Sequence, residues 1–138
     1  MGFLANLKGS PADPDQSDYD AATATGPLAE LAARPLPQLA ADLFEASFAP
    51  GTTGWRKGFS QTDGTRQFLQ AERVGDADQV HVANALVAEA FQLLDRRGLI
   101  CQFLADGSST VHVHWYVTRA GRAAARAGTV RAILAGAG

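Results

Sequence analysis

A chain of 138 residues with 46% hydrophobic and 19% charged side chains is long enough for one domain with an ordinary core. No apolar run approaches the roughly 20 residues that cross a bilayer, so a membrane partner is not expected. Cys101 is the single cysteine, which excludes an intrachain disulfide and favours a reducing compartment. Because the N-terminus also lacks a signal-peptide pattern, we expect a cytoplasmic protein.

The charge is unevenly distributed along the chain. The formal net charge of −2 and a sequence pI of about 5.8 argue against tight non-specific binding of nucleic acid. However, residues 1–50 hold two basic against seven acidic side chains, whereas residues 51–138 hold ten against seven. The second part is therefore mildly basic, and the net charge of the whole chain underestimates the positive charge that this part would present to a DNA phosphate.

Residues 1–26 are predicted to be a disordered acidic tail. Between residues 9 and 26 the chain is polar, acidic and contains proline, so it cannot bury enough apolar surface to offset the entropy of ordering. One folded domain is predicted over residues 27–138, beginning at Pro27, because proline suits the first position of a helix.

Two helices are predicted first, followed by an irregular segment. A short turn that contains Leu28 and Leu31 stops before Pro35, and a helix over residues 37–48 follows. Its apolar side chains recur with helical spacing, at Leu36, Leu39, Ala40, Leu43 and Phe44. Residues 50–64 contain four glycines, which indicates a loop or an irregular strand.

A short helix over residues 65–72 and a long helix come next. Asp76 is the predicted N-cap of the long helix, and Gln79 completes a pattern that resembles a capping box. The buried face follows the 3, 4, 7, 8, 11 spacing, with Ala83, Leu86, Val87, Ala90, Phe91 and Leu94. Gly98 is predicted to end the helix in a left-handed conformation.

A β-hairpin and a last helix complete the prediction. Residues 99–104 form the first strand, with Cys101 expected to be buried, and Asp106-Gly107 is a turn signal. In residues 111–117 the apolar Val111, Val113, Trp115 and Val117 alternate with His112, His114 and Tyr116. Thr118 is the N-cap of a final helix with an Ala-rich side, formed by Ala123, Ala127, Val130 and Leu134, which could pair with a second subunit. The expected class is mainly α with a small β-hairpin (α+β).

Two phrases in residues 65–125 resemble the winged helix-turn-helix regulators of the MarR and PadR type. Residues 94–100 (LDRRGLI) end the long helix, as a Leu-x-x-x-Gly-Leu-Ile-like phrase does in those families. Residues 117–121 (VTRAG) end the second strand, as a Leu-Thr-x-x-Gly-like phrase does there. The resemblance implies a winged-helix domain, most often a small DNA-binding transcriptional regulator that acts as a homodimer.

The resemblance also implies which residues would contact double-stranded DNA. The long helix would be the recognition helix, with its N-terminal half in the major groove. Base contacts would come from Gln79, His81 and Asn84, since amide side chains can bond adenine edges bidentately. Phosphate contacts would come from Arg56, Lys57, Arg66 and Arg73.

Other residues have two interpretations each. Arg119, Arg122 and Arg126 share one helical face, either as a patch for phosphate or an acidic partner or as a solvated face. In the first case the acidic tail could fold over the patch, and deleting residues 1–26 would then raise DNA affinity. Trp55 could stack on a base or fold back onto the core. His112 and His114 have a spacing that can chelate a metal, although a solvent-facing strand surface is the simpler interpretation.

The sequence is compatible with two classes of function. No catalytic constellation or phosphate-binding glycine loop is present, so we expect neither an enzyme nor a cofactor or metal requirement. The first class is the DNA-binding regulator. The second is a winged-helix adaptor that binds a protein partner, or pairs through its last helix, without reading DNA. The low pI and a wing tip (105–110) that carries Asp106 but no basic residue favour the second.

Overall fold

The structure is a computed structural model that describes residues 26–75, 80–106 and 111–137. It is mostly helical with a small three-stranded antiparallel sheet, so the α+β prediction is confirmed. The predicted tail up to residue 25, the predicted cap with Asp76 and Gln79, and the turn at 107–110 lie outside the described residues. Within the described ranges, no helix combines the length and apolar character needed to cross a membrane.

The described elements are seven helices and three strands, followed by a π-helical turn over Ile133–Ala137. The helices are α1 (Gly26–Ala33), α2 (Leu36–Ser47), α3 (Thr53–Lys57), α4 (Gln61–Ala71), α5 (Val80–Arg96), α6 (Arg119–Ala127) and α7 (Val130–Ala132). The strands are β1 (Phe59–Ser60), β2 (Ile100–Asp106) and β3 (Val111–Val117).

The largest difference from the sequence prediction is in residues 50–64, where the loop prediction was wrong in part. The hydroxyl of Thr52 accepts a hydrogen bond from the Trp55 amide and caps α3, and Ser60 caps α4 in the same way through the Asp63 amide. Because of the second cap, α4 begins four residues earlier than predicted, at Gln61. The glycine content of the segment predicted a loop, but the two N-caps start helices inside it.

The sheet has the strand order β1-β3-β2, with β3 in the centre. Phe59 of β1 pairs with Trp115, and Ile100 of β2 pairs with Val117. Trp115 and Val117 are buried, which confirms the predicted core face of β3. The predicted hairpin is therefore confirmed, and β1, inside the segment predicted as a loop or an irregular strand, adds a third strand to it.

An aromatic cluster joins the long helix to the sheet. The ring of Phe91 stacks on that of Trp115 with centroids 5.6 Å apart and an interplanar angle of 14°. Phe48 lies between Phe91, at 6.2 Å, and Phe59, at 4.8 Å. Trp115 is only 1% exposed, and its indole Nε1 donates a hydrogen bond of 3.0 Å to Oε1 of Gln61. The burial of Trp115 therefore leaves no unsatisfied donor.

One burial prediction was wrong. Cys101 is exposed, because it pairs with Tyr116 on the outer face of the hairpin, one residue away from the buried Ile100. In α6, Ala123 and Ala127 are exposed as well. The buried positions of that helix are Gly121 and Ala124, and Gly128 ends it in the left-handed conformation at φ 72°. On the predicted Ala-rich side, Val130 and Leu134 are buried while the two alanines are exposed, and pairing of this side with a second subunit stays a prediction.

A network of ion pairs ties the first helices to the C-terminal region. Arg34 donates hydrogen bonds to Asp42 of α2 and to Glu72 after α4, and its hydrogen bond to Glu72 raises the pKa of its guanidinium above the ordinary value. Arg131 of α7 binds Asp42 at 2.8 Å and Glu45 at 2.7 Å. The network therefore connects four separate segments of the chain.

Substitution of Arg34 by methionine is expected to lower the free energy of unfolding by about 1–2 kcal/mol, because Asp42 and Glu72 lose a charged hydrogen-bond donor where all three side chains are less than a quarter exposed. The matched change Arg131→Met removes a side chain that is 51% exposed, and its cost should stay below about 1 kcal/mol. Urea denaturation of both variants measures the difference. Equal losses, or no loss for Arg34→Met, would contradict this account of the network.

Candidate nucleic-acid interface

A cleft of about 610 Å³ lies between α4, α5 and β3. Its polar lining comes from both helices and includes Gln61, Thr62, Thr65, Arg66, Gln70 and Asn84. Its apolar lining includes Leu69, Val80 and Val113. Hydroxyl, amide and guanidinium groups therefore converge over a partly apolar surface, an arrangement that suits a polar ligand.

Helix α5 contributes Val80 and Asn84 to this cleft, while its apolar face is buried. The buried residues of α5 are Val82, Ala83, Val87, Ala90, Phe91, Leu93 and Leu94. His81 and Asn84 are both exposed in the first turns, and Asn84 lines the cleft. Gln79, the third predicted base contact, lies outside the described residues. The structure thus brings Asn84 together with Arg66 across the cleft and leaves His81 exposed beside it in the same helix.

Helix α4 is fixed at its start by the core. Its first residue, Gln61, accepts the hydrogen bond from the buried Trp115, and its buried side chains Phe68 and Leu69 are one turn from the end. Thr62 and Arg66 are exposed and share the lining of the cleft with the buried Leu69. The sequence did not predict a site that includes Gln61, Thr62, Thr65 and Gln70. The cap at Ser60 is the signal that would have extended α4 to include them.

The charge of Arg66 is partly compensated within its own helix. Its Nη2 atom donates to Oδ1 of Asp63 at 2.9 Å, and the two side chains are 58% and 51% exposed. Such an exposed pair is weak and can exchange its carboxylate for another anion at low cost. Arg66 is the one basic residue along the described lining of the cleft.

The other predicted phosphate contacts lie outside the described lining of this cleft. Arg73 follows α4 with a left-handed φ of 64° and is exposed. Arg56 and Lys57 are exposed at the end of α3, which packs mainly against α2 and β3. The structure therefore brings together Arg66 and Asn84 but leaves Arg56 and Lys57 with a different surface.

That second surface surrounds Trp55. The guanidinium carbon of Arg122 lies 4.6 Å from the centre of the Trp55 ring, and that of Arg126 lies 5.4 Å from it. Nη2 of Arg122 also donates a hydrogen bond of 2.6 Å to the carbonyl oxygen of Trp55. We call the group formed by Arg56, Lys57, Arg119, Arg122 and Arg126 the α3–α6 basic surface. It contains the predicted patch of three arginines, and none of its members lines the described cleft.

Of the two positions predicted for Trp55, the structure shows the one in which the side chain folds back onto the core. It is half-buried and packs against the hydrophobic core, while arginines cover its ring. A cation over an aromatic ring is a favourable contact that holds both side chains in place. Trp55 is therefore part of the packing between α3 and α6.

The outer face of the sheet contains His114, one of the two histidines of the predicted pair. His114 is half-buried and pairs with Phe103, which is 53% exposed and lies 5.8 Å from the ring of Tyr116. The side chain of His112 is not among those that the structure describes. Within the parts of the chain that the structure describes, no three candidate ligand side chains come together around a possible metal position.

Compared with protein-family models, with curated proteins and with solved structures, the chain matches none of them. The interpretation of the cleft and of the basic surface therefore depends on their geometry and chemistry alone.

Proposed function

We propose that this chain is a winged-helix protein of the MarR and PadR type that binds double-stranded DNA through the cleft between α4 and α5. In this proposal α5 is the recognition helix, β2 and β3 form the wing, and the protein acts in the cytoplasm as a small homodimeric transcriptional regulator.

The order of the elements supports the winged-helix assignment. A short strand, β1, precedes α4, and two longer strands follow α5, so that all three form one antiparallel sheet with β3 in the centre. The stacked pair of Phe91 and Trp115 fixes α5 against this sheet. In DNA-binding proteins of this kind, the second helix of the pair enters the major groove and the hairpin lies beside it.

The position of Asn84 opposite Arg66 is the observation that carries the function. An asparagine amide can bond N6 and N7 of adenine, and an arginine fork can bind a phosphate bidentately. Both side chains are exposed along one concave surface. Thr62 and Thr65 add hydroxyl groups to the same surface, and hydroxyl side chains are common phosphate ligands.

The full-length chain should bind a random 20-base-pair duplex at low salt, with affinity that falls steeply as salt rises. Substitution of Arg66 by alanine should make the slope of log K against log salt shallower by about 0.9, because one phosphate contact is lost. Fluorescence anisotropy with labelled duplex measures both quantities. The control is Arg96→Ala, which removes an equally charged, exposed residue at the other end of α5.

Two results would contradict the proposal. The first is the absence of binding at about 10 μM protein, because even non-specific affinity lies around 10⁻⁴ to 10⁻⁶ M at physiological salt and is tighter below it. The second is binding whose salt slope is the same in Arg66→Ala and in the unsubstituted protein. Thermal melts of both variants should be unchanged within about 1 kcal/mol, since the Asp63–Arg66 pair is exposed.

One observation favours the adaptor as a second candidate function. The cleft has a single described basic residue, already paired with Asp63, whereas five basic residues lie on the α3–α6 basic surface. A protein that binds an acidic protein partner would concentrate its positive charge away from the cleft in this way. Failure of duplex binding, in a chain that melts cooperatively, would support the adaptor.

A further inference from the structure

The α3–α6 basic surface holds positive charge without internal compensation. Within the described residues, its five members form no salt bridge, whereas Arg34, Arg66 and Arg131 each have a carboxylate partner. Four of the five are exposed, and Arg122 is half-buried against Trp55. Arg122 and Arg126 lie over the same Trp55 ring, and like charges held close together favour the binding of an anion.

The chemistry of this surface suits carboxylates. A nucleic acid commonly adds stacking of its bases on aromatic rings to the contacts of its phosphates. Here Trp55 packs against the core and lies under the guanidinium of Arg122, so its ring is already engaged. What remains accessible are guanidinium and ammonium groups, and the arginine fork matches the geometry of a carboxylate.

The N-terminal part of the chain contains a segment with matching chemistry. Residues 13–20 carry Asp13, Asp15, Asp18 and Asp20, and no basic residue occurs between Lys8 and Arg34. In an extended chain these four carboxylates are distributed over about 23 Å, at roughly 3.3 Å per residue. Arg119 and Arg126 are about 10 Å apart along α6, at 1.5 Å per residue, so several carboxylates can meet several arginines at once.

The segment is also long enough to reach the surface. Asp20, the last aspartate of the segment, is six positions before Gly26, the start of α1, and can lie at most about 20 Å from it, whereas Asp13 is thirteen positions before Gly26 and can lie up to about 45 Å away. A folded chain of this size has a radius of gyration of about 13 Å, so Asp20 can reach residues within about 20 Å of Gly26 and Asp13 can reach across the domain.

We propose that the α3–α6 basic surface is a binding site for an acidic polypeptide segment, and that its occupant is the segment of residues 13–20 of the same chain. This inference goes beyond the proposed function and does not depend on it, because none of the five basic residues lines the described cleft.

A zero-length carbodiimide cross-link in the full-length chain tests the proposal. The reagent joins a carboxylate to an amine that is in contact with it, and the chain has only two lysines, Lys8 and Lys57. Because Lys57 belongs to the α3–α6 basic surface, mass spectrometry should find it joined to an aspartate of residues 13–20. The yield should fall at least fivefold in 0.5 M NaCl, which screens exposed charges.

Two charge-matched variants separate specific binding from general attraction. Arg119→Glu with Arg126→Glu should reduce the Lys57 cross-link at least fivefold. Arg96→Glu with Arg97→Glu changes the net charge by the same amount at another exposed site and should leave the yield unchanged. Equal yields in the two double variants, or no cross-link from Lys57 to residues 13–20, would overturn the proposal. In a mixture of ¹⁴N and ¹⁵N chains, mixed-isotope products would overturn the assignment to the same chain and indicate a second copy.

An NMR comparison provides a second readout that does not depend on cross-linking chemistry. Substitution of the four aspartates by asparagine should shift the indole N–H resonance of Trp55, which lies under the arginines, and leave that of the buried Trp115 in place. Unchanged resonances for both tryptophans would overturn the proposal even if a cross-link were found.

Discussion

Replacement of Trp115 by alanine is expected to lower the free energy of unfolding by about 3–5 kcal/mol, which is a large part of the stability of a domain of this size. The side chain is 1% exposed and stacks on Phe91. Its removal leaves a cavity between α5 and the sheet and also removes the donor that Gln61 accepts from. Because α5 and the sheet are held together at this point, the variant should lose cooperative unfolding before it loses helical content.

The second tryptophan provides the control for this prediction. Trp55 is half-buried between the core and the α6 arginines, so Trp55→Ala should cost less than half as much. Urea denaturation followed by far-UV circular dichroism measures both losses, since the signal does not depend on the tryptophan that is removed. Equal losses for the two variants would show that Phe91 and Trp115 are not at the centre of the core.

Substitution of Gly58 by alanine should be strongly destabilising although it adds only a single methyl group. Gly58 has φ 76° and ψ 179°, a conformation that is essentially restricted to glycine. A Cβ atom at this position would lie 2.5 Å from the carbonyl oxygen of Trp115 and 2.5 Å from a ring carbon of Tyr116. The backbone oxygen cannot move without breaking the pairing of β1 with β3. We expect a loss of about 2–6 kcal/mol, from backbone strain of about 1–3 and overpacking of about 1–3 kcal/mol.

Gly98, at the end of α5, is the matched control, because it has the same φ of 76° but a Cβ atom added there would meet no other atom within 4 Å. Gly98→Ala should therefore cost only the conformational strain, about 1–2 kcal/mol. The difference between the two variants, measured by urea denaturation, isolates the close approach of α3 to the sheet. A Gly58→Ala variant as stable as Gly98→Ala would contradict the observed packing of Gly58 on β3.

The long helix and the hairpin could be predicted from the sequence because their patterns are long and regular. Phe91 recurs with helical spacing among apolar residues, and Trp115 alternates with polar ones, so each could be assigned to a buried face before their contact was known. Gly98 ends α5 with φ 76°, and Thr118 caps α6 through the Gly121 amide, as their residue types predict.

The elements around Trp55 could not be predicted because they depend on contacts distant in sequence. Helix α3 has five residues and β1 has two, which is too short for a periodic pattern. β1 exists because it pairs with β3, more than 50 residues later in the chain. The grouping of Arg122 with Trp55 likewise joins residues 67 positions apart. Of the residues predicted to bind DNA, Arg66 and Asn84 line the same cleft. Arg56 and Lys57 were predicted for the same interface but lie on the α3–α6 basic surface.

The position of bound DNA on the protein decides whether the α4–α5 cleft is the DNA-binding site. A duplex titrated into the ¹⁵N-labelled full-length chain should shift the side-chain amide resonances of Asn84 and the backbone amides of Thr62 and Arg66. The side-chain amide of Gln92, exposed two turns further along α5, should not move. Shifts confined to α3 and α6, or no shifts at a duplex concentration above that of the protein, would contradict DNA binding in the α4–α5 cleft.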